Sequence, residues 1–175
     1  MAAMDWGVAR DCRAAGTWTG EPVDRLRLGY DDRFRRRMRL TTVSGGTVML
    51  DLADARVLTD GDALVLADGR MVAVAAAPEP LLEIRAQDIT HLARLAWHIG
   101  NRHVAADLNA ERILIRDDYV LADMLRGLGA VVTSVTAPFN PEHGAYHSHG
   151  PAHAHAEAHA HNHQQAHAHG HHHDH

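Results

Sequence analysis

The chain has 175 residues, with 17 arginines, 22 acidic residues, 17 histidines and a formal net charge of −5 with histidine neutral. That length gives one domain or two small ones, and the charge balance argues against a general nucleic-acid binder. The single Cys12 excludes an intrachain disulfide and fits a reducing compartment, there is no lysine, and no apolar run is long enough to span a membrane.

Residues 1–19 match no recognisable element and are read as an N-terminal extension. They carry Asp5, Arg10, Asp11 and Arg13 and hold no apolar core of signal-peptide length, so the cytoplasm is expected. Residues 20–76 read as strand after strand. Phe34, Met38 and Leu40 share a parity opposite to Arg35, Arg37 and Arg39, as in a half-buried strand with an arginine face. Arg36 breaks the alternation and is assigned to an edge or a bulge. This arginine run is either an anionic or protein contact or a plain solvated strand face. Ser44-Gly45-Gly46 and Asp68-Gly69 each separate two apolar runs, which predicts two hairpins, the second with a type I′ turn. The first half is therefore a small all-β domain.

Residues 77–80 contain Pro78 and Pro80 and read as a linker. Residues 81–137 then follow the order β-α-β-β-α-β. Leu81–Ile84 is a strand. Asp88 caps a helix whose inner face carries Ile89, Leu92, Leu95, Ala96 and Ile99, and Gly100 ends it. Short strands are expected near 104–108 and 112–115. Asp117 or Asp118 caps a second helix with Leu121, Met124, Leu125 and Leu128 inward, closed by Gly129, and a strand from Ala130 to Val135 finishes the unit. The whole reads as α+β: an all-β domain, a ferredoxin-like split βαβ domain and a tail at residues 138–175.

All but three of the 17 histidines lie between His143 and His175, mostly as His-X-His. Neutral imidazole is the commonest protein ligand for late first-row metals. Histidines two apart point to one side of an extended chain and can close on one ion. The tail lacks the large apolar side chains needed to offset its ordering entropy, so it is expected to be disordered. Many equivalent pairs suit capture and transfer, whereas a catalytic metal needs fixed geometry. The histidines are threaded through Ala, Glu, Asn, Gln and Gly, unlike the unbroken block of a purification tag. Ni(II), Cu(II), Zn(II) and Co(II) all fit such ligands.

His91, His98 and His103 stand outside the tail. A histidine near a helix end is often a capping or core residue. With a metal-gathering tail nearby, a fixed histidine becomes a ligand candidate, and a symmetric dimer would supply two copies. HExxH, CxxC, Walker and GxSxG motifs are absent, so no enzyme is expected.

Trp97-His98-Ile99-Gly100-Asn101-Arg102-His103 resembles the nickel-carrying urease accessory family UreE. Val23-Asp24-Arg25-Leu26, the strand from Arg33 to Leu40, Asp123–Gly129 and Pro138–His147 extend the resemblance over roughly Pro22 to His175. It implies a β domain associated with protein contact, a ferredoxin-like metal-binding domain and a homodimer holding nickel on its two-fold axis. The histidine of Gly-Asn-Arg-His, here His103, is the implied central ligand, with His147 and His149 completing the site. The metal-ligand set read from the sequence is thus His103, His147, His149, His153, His155 and His98. Some members carry two histidines shortly before the second helix. Here Arg116-Asp117-Asp118-Tyr119 stands there, and that auxiliary site is not expected. The implied cargo is Ni(II), with Zn(II) or Cu(II) as competitors. The implied partners are a urease accessory GTPase and the apo-urease complex, with neither nucleic acid nor membrane. The alternative is a general divalent-metal store acting through the tail.

Overall fold

The computed structural model describes residues 4–142. Mixed α+β structure dominated by strands fills this range, in two sheets. The first sheet has six strands: β1 (Asp5–Arg13), β2 (Asp24–Leu28), β3 (Phe34–Thr41), β4 (Thr47–Val57), β5 (Ala63–Leu66) and β6 (Met71–Ala76), in the spatial order β2-β6-β5-β1-β4-β3. Its core is aliphatic and includes Leu26, Val48, Leu50, Leu64 and Val72, all fully buried. Fully burying one such side chain contributes roughly 1.5–3 kcal/mol.

The segment expected to be an unplaced extension supplies β1, a central strand. It runs parallel to β4 and antiparallel to β5. Register shifts between Asp5 and Val8 and between Ala9 and Asp11 break its period-two pattern, leaving Ala9 and Cys12 as its only buried residues. The expected inward face of β3 is also corrected. Leu40 is buried, but Phe34 is 59% exposed and Met38 38% exposed, because β3 is an edge strand. Its register jumps between Arg35 and Arg37, so Arg36 does sit at a bulge.

Both expected hairpins form. In each, a three-residue loop ends in a left-handed glycine, Gly45 (φ +87°) or Gly69 (φ +84°). The Gly69 amide donates to the Leu66 carbonyl at 2.9 Å and the Leu66 amide to the Arg70 carbonyl at 2.8 Å. Asp68 keeps a negative φ, so this is a type I turn with a glycine bulge and not the type I′ turn expected.

The second sheet comprises β7 (Pro78–Arg85), β8 (Ala106–Leu108), β9 (Ile113–Arg116) and β10 (Val131–Pro138), in the order β10-β7-β9-β8 with every pair antiparallel. Helices α1 (Ile89–Gly100) and α2 (Tyr119–Gly127) link β7 to β8 and β9 to β10. Leu92, Leu95 and Ile99 from α1 and Leu121 and Leu125 from α2 pack with Ile84, Ile113 and Ile115. Ile89, expected inside, is 66% exposed, since it occupies the first turn, ahead of that stripe. The stretch expected as a linker is strand. Pro78 pairs with Pro138 and Pro80 with Thr136, while β9 covers only Leu81–Ile84. The proline end of β7 thus has a free side, where a missing N–H costs no ladder bond.

A third cluster ties the two sheets together. Phe139 is fully buried with Leu81 and Leu114, and Tyr30 meets its ring edge-on at 5.2 Å. Arg33, 2% exposed, donates to Asn140 Oδ1 at 2.8 Å and to the Phe139 carbonyl. Burial pushes the Arg33 guanidinium below its ordinary value, opposed by the charges of Glu79 and Asp60. Residues 138–142, expected to belong to the tail, are therefore part of the folded body.

Asp24 performs a similar task at the far end of the first sheet. Its carboxylate accepts from the Trp6 indole at 3.0 Å, from the Arg25 amide at 2.8 Å and from the Ser44 hydroxyl. Partial burial pushes its pKa up, but these hydrogen bonds outweigh that and bring it from 3.8 to about 2. A depressed carboxylate contributes stability above its unfolded value, and that contribution fades as pH falls through the folded value. Asp24→Asn should therefore lower the melting temperature by a few degrees above pH 4. The gap to the parent should close between about pH 4 and pH 2, as followed by circular dichroism melts.

Candidate metal centre

α1 and α2 begin alike and end differently. Asp88 Oδ1 accepts from the His91 amide at 2.7 Å, and Asp118 Oδ1 from the Leu121 amide at 3.0 Å. Of the two aspartates open to the second cap, Asp118 takes it. α2 ends as expected at Gly129 (φ +89°), with the Ala130 amide on the Leu125 carbonyl and the Gly129 amide on the Arg126 carbonyl. α1 ends at Gly100 as expected, but this glycine stays helical and is not the left-handed cap. The chain makes one more tight turn, with Arg102 bonded to Ile99 and His103 to Gly100, and the left-handed residue is His103 (φ 55°). It is the one non-glycine residue with positive φ among the described residues. Such a conformation costs an L-residue roughly 1–2 kcal/mol, and it clusters at functional positions.

His103 is exposed and lines a cleft of about 500 Å³ with Tyr30, Val104, Ala105, Arg116, Asp117, Asp118 and Leu121. Arg116 reaches both Asp31 carboxylate oxygens, at 3.0 and 3.1 Å, and lies 5.6 Å over the Tyr30 ring. This exposed pair contributes little energy, but it sets one wall of the cleft. The last described residues are held by β8, which follows His103 in the chain. The Glu142 amide donates to the Ala106 carbonyl at 2.9 Å and the Asn140 amide to Asp107 Oδ2 at 3.2 Å. Glu142, the last described residue, is thus bonded to β8 at Ala106, three residues on from His103.

The remaining histidines divide sharply. His98 is half-buried, stacks edge-on against Trp97 at 5.0 Å and does not line the His103 cleft. His91 is buried and fully engaged. Its Nδ1 accepts from the Gln87 amide at 3.3 Å, which leaves Nε2 to donate to the Leu128 carbonyl at 3.0 Å. It is the core histidine that its place near a helix start suggested. His147, His149, His153 and His155, and the expectation of a disordered tail, lie outside the described residues. Cys12 offers no thiolate. Burial and the Asp62 carboxylate push its pKa up to about 11, so it stays protonated at neutral pH.

Among the described residues, no three of histidine, cysteine, aspartate and glutamate stand close enough to hold a metal ion. No described helix is long and apolar enough to cross a membrane. The sequence singles out His103 but does not show its backbone conformation, and it does not reveal the burial of Phe139 and Arg33. A lone aromatic between Pro138 and Pro141 was the available signal for the former.

These features define a two-sheet α+β protein that presents one exposed imidazole, on a left-handed backbone, in a cleft. Residues 8–77 match the family model for UreE urease accessory protein, N-terminal domain, and residues 79–175 that for UreE urease accessory protein, C-terminal domain. The chain belongs to the UreE family. It is 54% identical over 129 residues to the urease accessory protein UreE of Rhodopseudomonas palustris (strain HaA2), covering 74% of this chain and 60% of that protein. Identity is again 54% over 129 residues to the UreE of Bradyrhizobium sp. (strain BTAi1 / ATCC BAA-1182), covering 74% and 63%. It is 53% over 126 residues to that of Chelativorans sp. (strain BNC1), covering 72% and 80%. The chain thus spans less than two thirds of the length of the first two relatives.

Removal of His91 should affect the fold and not metal binding. His91→Ala leaves the Leu128 carbonyl and the Gln87 amide without partners, a loss of about 1–3 kcal/mol. Denaturant melts should show that loss, while calorimetric titration with Ni(II) gives the parent's binding curve.

Proposed function

We propose that this protein is a nickel metallochaperone, which binds Ni(II) and delivers it to the urease maturation complex in the cytoplasm. It acts by binding and release and not as an enzyme. The second half is read as a ferredoxin-like split βαβ unit, a reading supported by its β-α-β-β-α-β order and its strand order β10-β7-β9-β8.

The observation that carries the proposal is His103. One imidazole cannot hold an ion tightly, and among the described residues no three of histidine, cysteine, aspartate and glutamate gather to form a complete site. An exposed histidine kept in a costly backbone conformation is a site waiting for ligands from elsewhere. In our reading a homodimer places two His103 side chains on one ion. His147 and His149 complete the site, and His153, His155 and later histidines gather further ions. Glu142 is fixed on β8, and the five residues from there to His147 reach at most ~18 Å. His98 is the weakest member of the proposed set, being half-buried against Trp97. Exchangeable tail ligands allow the ion to pass on to an accessory GTPase and apo-urease. A general metal store would have no need of a strained histidine outside the tail, which favours delivery.

Intrinsic affinity should follow the Irving–Williams order, with Cu(II) tightest, and binding should weaken in acid as imidazoles protonate. Titration with Ni(II) should find several ions per full chain. A chain ending at Tyr146 should keep about one ion per two chains, by the symmetry of a two-fold site, and His103→Ala in that shortened chain should abolish it. A shortened chain that binds no nickel, or a His103→Ala variant that binds as before, overturns the site. In a urease-activation assay with ample nickel, deletion of the protein should reduce activation, whereas deletion of a mere store would leave it unchanged.

A further inference from the structure

Arg33 is an uncommon choice for a packed junction. It is 2% exposed, and both of its hydrogen-bond acceptors are neutral. The guanidinium donates to Asn140 Oδ1 at 2.8 Å and to the Phe139 carbonyl, while Nε has no partner among the described residues. Glu79 and Asp60 bear on its charge only through space. If joining the two sheets were the only demand, an apolar side chain of similar volume would serve as well or better, because a buried charge must be desolvated. What arginine adds is a rigid planar fork that holds two groups in one geometry. The two it holds here belong to consecutive residues, Phe139 and Asn140.

Asn140 passes that hold on. Its side-chain oxygen accepts from Arg33, and its backbone amide donates to Asp107 Oδ2 on β8 at 3.2 Å. Two residues later the Glu142 amide donates to the Ala106 carbonyl at 2.9 Å. A continuous run of contacts therefore joins the first sheet, through Arg33 and Asn140, to the strand that follows His103. β8 is short, with three residues, pairs only with β9 and forms an edge of its sheet. The turn that leads into Arg33 also lines the His103 cleft, through Tyr30.

We propose that Arg33 is a positioning residue of the metal site: with Asn140 and Asp107 it pins residues 139–142 on β8, so that the tail histidines start from a fixed point on the strand that follows His103. This rests on the nickel reading above. The three residues act by holding the chain and not as ligands. His147 lies five residues past Glu142 and eight past Phe139. Opening the chain from Asn140 onward lengthens the linker to His147 from five residues to eight. That lowers the effective concentration of His147 at the site roughly twofold, through its −3/2-power dependence on linker length. The first sheet thereby tunes nickel affinity through a side chain remote from the ion.

Competition titration of Ni(II) against a chelating indicator reads the tightest ion of three chains: the full chain, one ending at His149 and one ending at Tyr146. All three keep the described residues whole. N140A/E142P removes the Arg33 acceptor and the amide bonded to Ala106, both at exposed positions. It should weaken the tightest ion by about twofold or more in the two longer chains and leave the chain ending at Tyr146 unchanged. D107A and R33K, whose single nitrogen cannot hold both acceptors, should act in the same direction. D107N keeps an acceptor oxygen and should bind like the parent. Inserting Gly-Ser-Gly after Glu142 adds the same length of linker without touching the folded contacts, and should weaken the full chain by the same factor. Should R33K fail to fold, N140A/E142P and the insertion decide alone. A merely structural clasp gives lower melting temperatures with nickel affinity unchanged, or equal weakening in all three chains. Either result overturns the proposal and leaves the nickel reading standing, whereas parent chains that bind no nickel overturn both.

Discussion

The burial of Phe139 beneath Arg33 is the constraint on which the arrangement of the described structure depends. Phe139 belongs to the end of the second sheet, and Arg33 and Tyr30 belong to the connection between two strands of the first. Removing a fully buried phenylalanine costs about 3–5 kcal/mol, and an arginine stripped of its acceptors in such a place costs several more. This contact joins the sheets and holds the last described residues in place. Those residues bond to β8, close in sequence to His103: the Asn140 amide to Asp107 and the Glu142 amide to Ala106. The same turn that supplies Arg33 supplies Tyr30 to the wall of the His103 cleft and Asp31 to the ion pair with Arg116.

The cleft itself is notable for what its backbone does. Both helices of the second half start with an aspartate cap, and α2 closes with a left-handed glycine. α1 has a glycine available at Gly100 and does not use it; the left-handed position falls three residues later, on a histidine. A fold optimised for stability alone would place glycine there. In the proposed reading the retained imidazole has a role outside the fold, as one ligand of a shared metal.

Regular elements that bury one clean face were legible in the sequence. α1, α2, β9 and both hairpins follow from apolar spacing, aspartate caps and turn glycines. The elements missed share one physical cause: their patterns are interrupted by tertiary demands. β1 carries two register shifts, so its parity changes within nine residues. The proline end of β7 is tolerated because β9 stops short of it. Met38 and Phe34 have the right parity for a core face but sit where the sheet has no further strand to cover them. His103 could be named from its motif, but its left-handed backbone could not, since Gly100 and Asn101 are the ordinary residues for such a turn. Phe139 was legible as an oddity and its partner Arg33 was not, because a buried arginine inside an arginine-rich run carries no separate signal.

The central claim is that His103 is a fixed ligand kept at a cost to the fold. It is tested most directly by His103→Gly in a chain ending at Tyr146, melted with and without Ni(II). Without metal the glycine variant should melt a few degrees above the parent, reflecting about 1 kcal/mol of relieved strain. With nickel the parent should gain stability by mass action and the variant should gain none. A variant that melts below the parent without metal, or that nickel stabilises as much as the parent, would contradict the account.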